Sequence, residues 1–148
     1  MQLTKSFVCL ALAVVSALAG PAPAQPEEAP GPQAADAFTC KNTHGDFHIS
    51  VKHAKETVHE APLVAGSTGF PHPFANYDGI PFHHARCSHH GVSLLEFPVY
   101  PDGHLYPFDQ QPKHDPGPAR VIYTAHKKEF CGVIAHTDGE KGHYKLCD

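Results

Sequence analysis

The chain has 148 residues, with 11 Lys and Arg, 15 Asp and Glu and 14 His, for a net charge of −4 with histidine neutral. That balance excludes a tight, sequence-independent grip on nucleic acid, which needs clustered Lys and Arg. It leaves room for an enzyme that meets RNA briefly, and the length suits a single hydrophobic core.

The first predicted element is a targeting segment. Lys5 precedes an apolar run over residues 7–19, too short to span a bilayer, and small-residue cleavage motifs end at Ala19 and Ala24. Residues 1–24 are therefore predicted to be a signal peptide, and the mature protein to be secreted, extracellular and without a membrane partner. Residues 25–37 are a Pro-rich leader whose low hydrophobicity cannot offset the entropy of folding. One domain, residues 38–148, remains. Loss of residues 1–24 removes Lys5 and no acid, leaving ten bases against fifteen acids, a net charge of −5. All 14 histidines stay, so acidification reverses the sign of the charge.

Of five cysteines, Cys9 lies in the signal segment. Cys40, Cys87, Cys131 and Cys147 then read as two disulfides of a secreted domain, with three connectivities open. No C-x-x-C pair occurs, which argues against a zinc knuckle.

Val51, Ala54, Val58 and Ala61 recur at helical spacing and Pro62 stops the pattern, predicting an amphipathic helix over residues 50–60. Short apolar runs over 93–100, 120–124 and 130–136 predict strands, the last two joined by the polar turn 126–129. Asp102-Gly103 marks a further tight turn. Alternation sets Leu95, Phe97 and Val99 opposite Glu96, Val121 and Tyr123 opposite Arg120, and Val133 and Ala135 opposite His136. The apolar set can pack on the helix while one ionisable residue per strand points the other way. The predicted class is α+β.

Alone, Glu96 reads as a solvated edge residue, His136 as a surface histidine and Arg120 as a loop neighbour. Their local sequences say more. FPHPFANYDG (70–79), EFPV (96–99), PGPARVI (116–122), GVIAHT (132–137) and the penultimate Cys147 occur in that order. From residue 38 to the C-terminus this set resembles the fungal guanyl-specific ribonucleases.

The resemblance implies a helix packed on a curved antiparallel sheet, with the active site on the concave face. It makes Glu96 the general base, His136 the general acid, His72 an aid to the base that orients the ribose 2′-hydroxyl, and Arg120 the phosphate stabiliser. A carboxylate and an imidazolium on opposite sides of phosphorus suit cleavage to a 2′,3′-cyclic phosphate. A guanidinium suits the charge that builds on the phosphoryl oxygens. No metal or cofactor is implied. DNA, which lacks the 2′-hydroxyl, is not a substrate, and the partner is single-stranded RNA met by a monomer. The implied substrate-binding set is Phe70, Phe74, Ala75, Asn76, Tyr77, Asp78 and Tyr144. Guanine stacks between Phe74 and Tyr77, and Asp78 reads its Watson–Crick edge. The resemblance also implies a Cys40–Cys147 bridge, leaving Cys87 for Cys131.

The sequence departs from the pattern in four places. Phe70 replaces a phosphate-donating tyrosine, and a lost hydrogen bond to a charged group is worth about 1.5–3 kcal/mol, roughly ten- to hundredfold in rate. Ala75 replaces an asparagine that shapes the base loop, and Asp78 is a methylene shorter than the usual glutamate. Asp138 and Glu140 bring acids close to His136, where they repel phosphate. Two other readings stay open on these grounds. One is a catalytically weak or inactive ribonuclease-like secreted effector that binds RNA or a host protein. The other is a histidine-rich metal-binding protein, suggested by His83, His84, His89 and His90 around Cys87.

Overall fold

The computed structural model describes residues 36–148, so the predicted signal peptide and nearly all of the predicted leader lie outside the described residues. Strands β1 (Ala37–Cys40) and β2 (Phe47–Ser50) form an antiparallel ribbon with Cys40 opposite Phe47. Helix α1 (Val51–Glu60) follows β2 directly. Ala54, Thr57 and Val58 are its buried stripe, at the i, i+3, i+4 spacing of one helix face. Its last turn closes with the Ala61 N–H donating to the Thr57 carbonyl at 2.8 Å. Pro62, which has no N–H to continue the ladder, ends it.

A second sheet runs in chain order: β3 (His72–Phe74), β4 (Leu94–Pro98), β5 (Ala119–Thr124), β6 (Phe130–Asp138) and β7 (Lys141–Leu146). All neighbours are antiparallel, and the single-turn helix α2 (Ala85–Ser88) lies between β3 and β4. The predicted helix and three strands are present with small changes at their ends. β4 stops at Pro98, and Val99 bridges Leu105 instead. β6 runs on to Asp138 because β7 pairs with it. The β7 sequence KGHYKL carries almost no apolar alternation, and most of it is exposed, so periodicity could not reveal it.

Alternation separates two layers. Leu95, Phe97, Val121, Tyr123, Val133 and Ala135 pack with Ala54 and Val58 of α1, and with Ala61 just after it, in the main core. The other face is less purely polar than the sequence suggests. Leu94, Ile122 and Ile134 join Ile80, Phe82, Cys87 and Cys131 in a second apolar cluster. The long connection between β3 and β4 thus folds over one end of that face and leaves the other end to Glu96, Arg120 and His136.

Two covalent ties and one side chain hold the ends together. Cys40 is bonded to Cys147 and Cys87 to Cys131, joining β1 to the C-terminus and α2 to β6. Asn42, between β1 and β2, clamps the β6–β7 turn. Its Nδ2 donates to the carbonyls of His136 (2.8 Å) and Gly139 (2.7 Å), and its Oδ1 accepts from the N–H groups of Gly139 (3.1 Å) and His44 (2.9 Å).

In the chain-entropy model the bridges, with sequence separations of 107 and 44, stabilise by about 4.8 and about 4.0 kcal/mol respectively. Urea unfolding of Cys40→Ser/Cys147→Ser and Cys87→Ser/Cys131→Ser should show the larger loss for the first pair. Asn42→Ala leaves part-buried backbone groups of the turn unpaired and should lower stability by about 1–3 kcal/mol. An unfolding midpoint equal to that of the parent would show that the clamp contributes nothing.

Candidate active site

Register determines which side chains meet. His72 on β3 is directly opposite Glu96 on β4. Glu96 is opposite Ile122, so Arg120, two residues earlier on β5, is its diagonal neighbour. Arg120 is opposite Ile134, which makes His136 on β6 diagonal to it, and His136 is opposite Tyr144 on β7. With side chains alternating at period two, all five leave the same face of the sheet.

The Glu96 side chain is 13% exposed, and its Oε1 accepts from His72 Nδ1–H at 3.3 Å. Its Oε2 is buried with no hydrogen-bond partner among the described residues. Arg120 is 5% exposed. Its Nη1 donates to the carbonyls of Pro116 (3.0 Å), Gly117 (2.7 Å) and Ala119 (2.8 Å), while its Nε is buried without a partner. The loop can curl its carbonyls onto the guanidinium because Gly117 has a φ of +62°, a backbone state that favours glycine. Buried polar atoms are normally paired, so an unpartnered carboxylate oxygen and guanidinium nitrogen on one face mark a place for a ligand.

Phe70 is 2% exposed and lies beneath this row. Its ring stacks on His72 at 4.1 Å, and Arg120 and Lys113 approach it at 5.4 and 5.0 Å. It serves as an apolar support for two charged groups, a cation–π arrangement. Across the row, His136 Nδ1–H donates to the Gly142 carbonyl at 3.0 Å, which leaves Nε2 for other chemistry. The His136 ring stacks on Tyr144 at 4.0 Å.

The predicted base loop is placed less simply. Phe74 packs edge-on against Phe82 (6.1 Å) and Tyr144 (6.3 Å). Tyr77 is 98% exposed, and its ring pairs with no other aromatic ring among the described residues. Phe74 and Tyr77 thus do not form a closed slot. Ala75 is exposed. Asn76, at φ +49°, shapes the loop by donating to the Ile80 carbonyl (2.9 Å) and accepting the Ile80 N–H (2.8 Å). Both oxygens of Asp78 already have donors, the Tyr144 N–H at 2.9 Å and His143 Nδ1–H at 2.6 Å. Those bonds, the Tyr144 amide first, hold its pKa below the ordinary 3.8. An open cleft of about 490 Å³ lies between this loop and β7, bordered by Asp78, Ile80, His143 and Tyr144.

The two acids after His136 differ in their surroundings. Asp138 Oδ1 accepts from Thr43 Oγ1 at 2.7 Å. The neighbouring Asp115 carboxyl raises the Glu140 pKa above its ordinary value, against the opposing pull of Arg120 and His136. Among the described residues no three His, Cys, Asp or Glu side chains converge as a metal site, and His83, His84, His89 and His90 are exposed. Sequence reasoning missed Asn42, His143 and Lys113. Asn42 and His143 meet their partners across 94 and 65 residues, so no local pattern signals them.

The sequence profile of the ribonuclease family matches residues 34–148. The chain is similar to ribonuclease clavin of Aspergillus clavatus, 38% identical over an alignment 182 positions long that covers 99% of each protein. Guanyl-specific ribonuclease U1 of Ustilago sphaerogena is 30% identical over 81 residues, 55% of this chain and 69% of that one. The crystal structure of the Aspergillus ribotoxin restrictocin superposes with a TM-score of 0.67 at 39% identity, over 76% of this chain and 99% of restrictocin. Restrictocin in complex with a 29-mer sarcin/ricin domain RNA analog matches with the same TM-score at 37% identity. A family profile spanning the whole described domain, and relatives matched from end to end, make this chain a member of the fungal ribonuclease family, an RNA-cleaving endoribonuclease.

Proposed function

We propose that the chain is a secreted, metal-independent ribonuclease that cuts single-stranded RNA on the 3′ side of guanosine and leaves a 2′,3′-cyclic phosphate. The observation that carries this reading is the row of His72, Glu96, Arg120 and His136 on one sheet face, with Glu96 Oε2 and Arg120 Nε unpartnered. Glu96 takes the proton of the ribose 2′-hydroxyl, and the 2′-oxygen attacks phosphorus. The P–O5′ bond breaks as His136 Nε2–H protonates the leaving oxygen. Water then opens the cyclic phosphate with the two roles reversed. His72, bonded to Glu96 Oε1, orients the base. Arg120 meets the charge on the phosphoryl oxygens.

The guanosine preference rests on donor exchange at Asp78. A guanine reaching that carboxylate offers N1–H and N2–H in place of the His143 and Tyr144 donors. Adenine has no such adjacent pair and leaves the carboxylate less well satisfied, so a site of this kind rejects it. Restrictocin was solved with a sarcin/ricin domain RNA analog. That favours a second reading in which the preferred substrate is a folded RNA loop of this kind.

Glu96→Gln and His136→Ala should each lower cleavage of RNA by about 10²–10⁴-fold. The parent rate should pass through a maximum with pH, because Glu96 must be ionised and His136 protonated. Chelator should have no effect; loss of activity in chelator that zinc restores would favour the metal-binding reading. Product ends mapped on a synthetic single-stranded RNA should follow guanosine, and Asp78→Glu should sharpen that pattern. An even distribution over the four bases would remove the specificity and leave the nuclease. A single cut in a sarcin/ricin-domain RNA at enzyme levels that spare the linear RNA would select the second reading.

A further inference from the structure

Five tyrosines occur in the chain, and four of their hydroxyls are accounted for. Tyr100, Tyr106 and Tyr123 donate to the carbonyls of Asp115, His114 and Pro62, the last two at 3.1 and 2.8 Å. Tyr77 stands in solvent at the loop tip. Tyr144 remains: its hydroxyl has no backbone acceptor among the described residues, and its polar neighbours are the Glu96 and Arg120 side chains. Its ring is pinned on two sides, stacked on His136 at 4.0 Å and set edge-on to Phe74 at 6.3 Å. From β7 it leaves the same face as Arg120 and Glu96 and lies over His136.

We propose that the Tyr144 hydroxyl is a catalytic hydrogen-bond donor to the reacting phosphate, sharing with Arg120 the charge that builds on its non-bridging oxygens. This rests on the reading that His72, Glu96, Arg120 and His136 perform the cleavage. Arg120 cannot meet that charge with its whole fork, because Nη1 is already committed to three carbonyls. Phe70, stacked beneath, has no proton to give. A neutral hydroxyl on the same face supplies the missing donor at no cost in added charge, which suits a protein with more acids than bases.

The electrostatic surroundings of the phenol agree. Burial pushes its pKa above the ordinary 10.0, Arg120 pulls it down, and Glu96 pushes it up. Glu96 and Arg120, which share its sheet face, are thus the charged side chains that act on the phenol. The net effect keeps the proton on oxygen. Tyr144 donates and does not exchange its proton during the reaction.

Tyr144→Phe removes the oxygen and keeps the ring on His136. On guanylyl-3′,5′-cytidine, kcat should fall about ten- to hundredfold, as for a lost hydrogen bond to a charged group. KM, both limbs of the pH profile and the thermal midpoint should be unchanged. Tyr144→Leu, which also removes the stack, should fall at least as far. Full kcat in Tyr144→Phe would overturn the proposal, as would a displaced acid limb with an intact plateau, which would mean that the hydroxyl acts through Glu96. Full activity in Glu96→Gln would instead remove the catalytic reading itself and this proposal with it. An inactive Glu96→Gln beside a fully active Tyr144→Phe would remove the Tyr144 proposal alone.

Discussion

In β4, β5 and β6 successive side chains leave opposite faces of one sheet, and the pairing register of those strands determines everything built on them. Leu95, Phe97, Val121, Tyr123, Val133 and Ala135 go to the core under α1, while Glu96, Arg120 and His136 go to the other side. A slip of one residue would bury the charges and expose the apolar set. The energy that holds the register therefore comes from the core, and the site inherits its geometry from packing it takes no part in. Burial of the apolar set positions the polar row.

Charge is the second constraint, because a protein with more acids than bases must still receive a polyanion. The fold handles this locally. Arg120 is sunk to 5% exposure and is steered by three carbonyls, so that little of its charge is spent on solvent. Asp138 is turned toward Thr43, and the Asp115 carboxyl beside Glu140 raises the Glu140 pKa, which favours its neutral form. Of the two acids that follow His136, Asp138 is thus occupied with the protein itself. Low overall positive charge leaves recognition to short-range hydrogen bonds and ring contacts, with little long-range attraction.

The chain ends complete the site from outside the sheet. The Cys40–Cys147 bridge closes β1 onto the C-terminus. Asn42, two residues beyond Cys40, then reaches the His136 and Gly139 carbonyls. On the far side Asp78 ties the loop after β3 to β7 through the Tyr144 amide and His143. β7 is thus held by both flanking loops while it carries Tyr144 and pairs with the strand of His136. Its sequence supplies little apolar burial, and these polar ties take the place of a packed face.

Much of this was legible before any coordinates. Helical spacing from Val51 to Ala61 with Pro62 behind it, and period-two alternation around Glu96, Arg120 and His136, are local patterns. Burial demands them wherever a helix packs on a sheet. They sufficed for the α+β class, for the main core and for which ionisable residues share a face. Strands β1, β2, β3 and β7 were not legible, because they are short or mostly exposed and their pairing comes from partners far along the chain. The same holds for contacts. Resemblance named Asp78 as a reader of the base, but only the folded chain brings His143 and the Tyr144 amide onto its oxygens. It named Phe70 for the substrate, and packing puts that ring at 2% exposure beneath His72. Residue types and their period are written in the sequence because burial acts on neighbours. Which donor meets which acceptor across 65 or 94 residues is decided only when the sheet closes, since a hydrogen bond depends on ångström distances that no local pattern encodes.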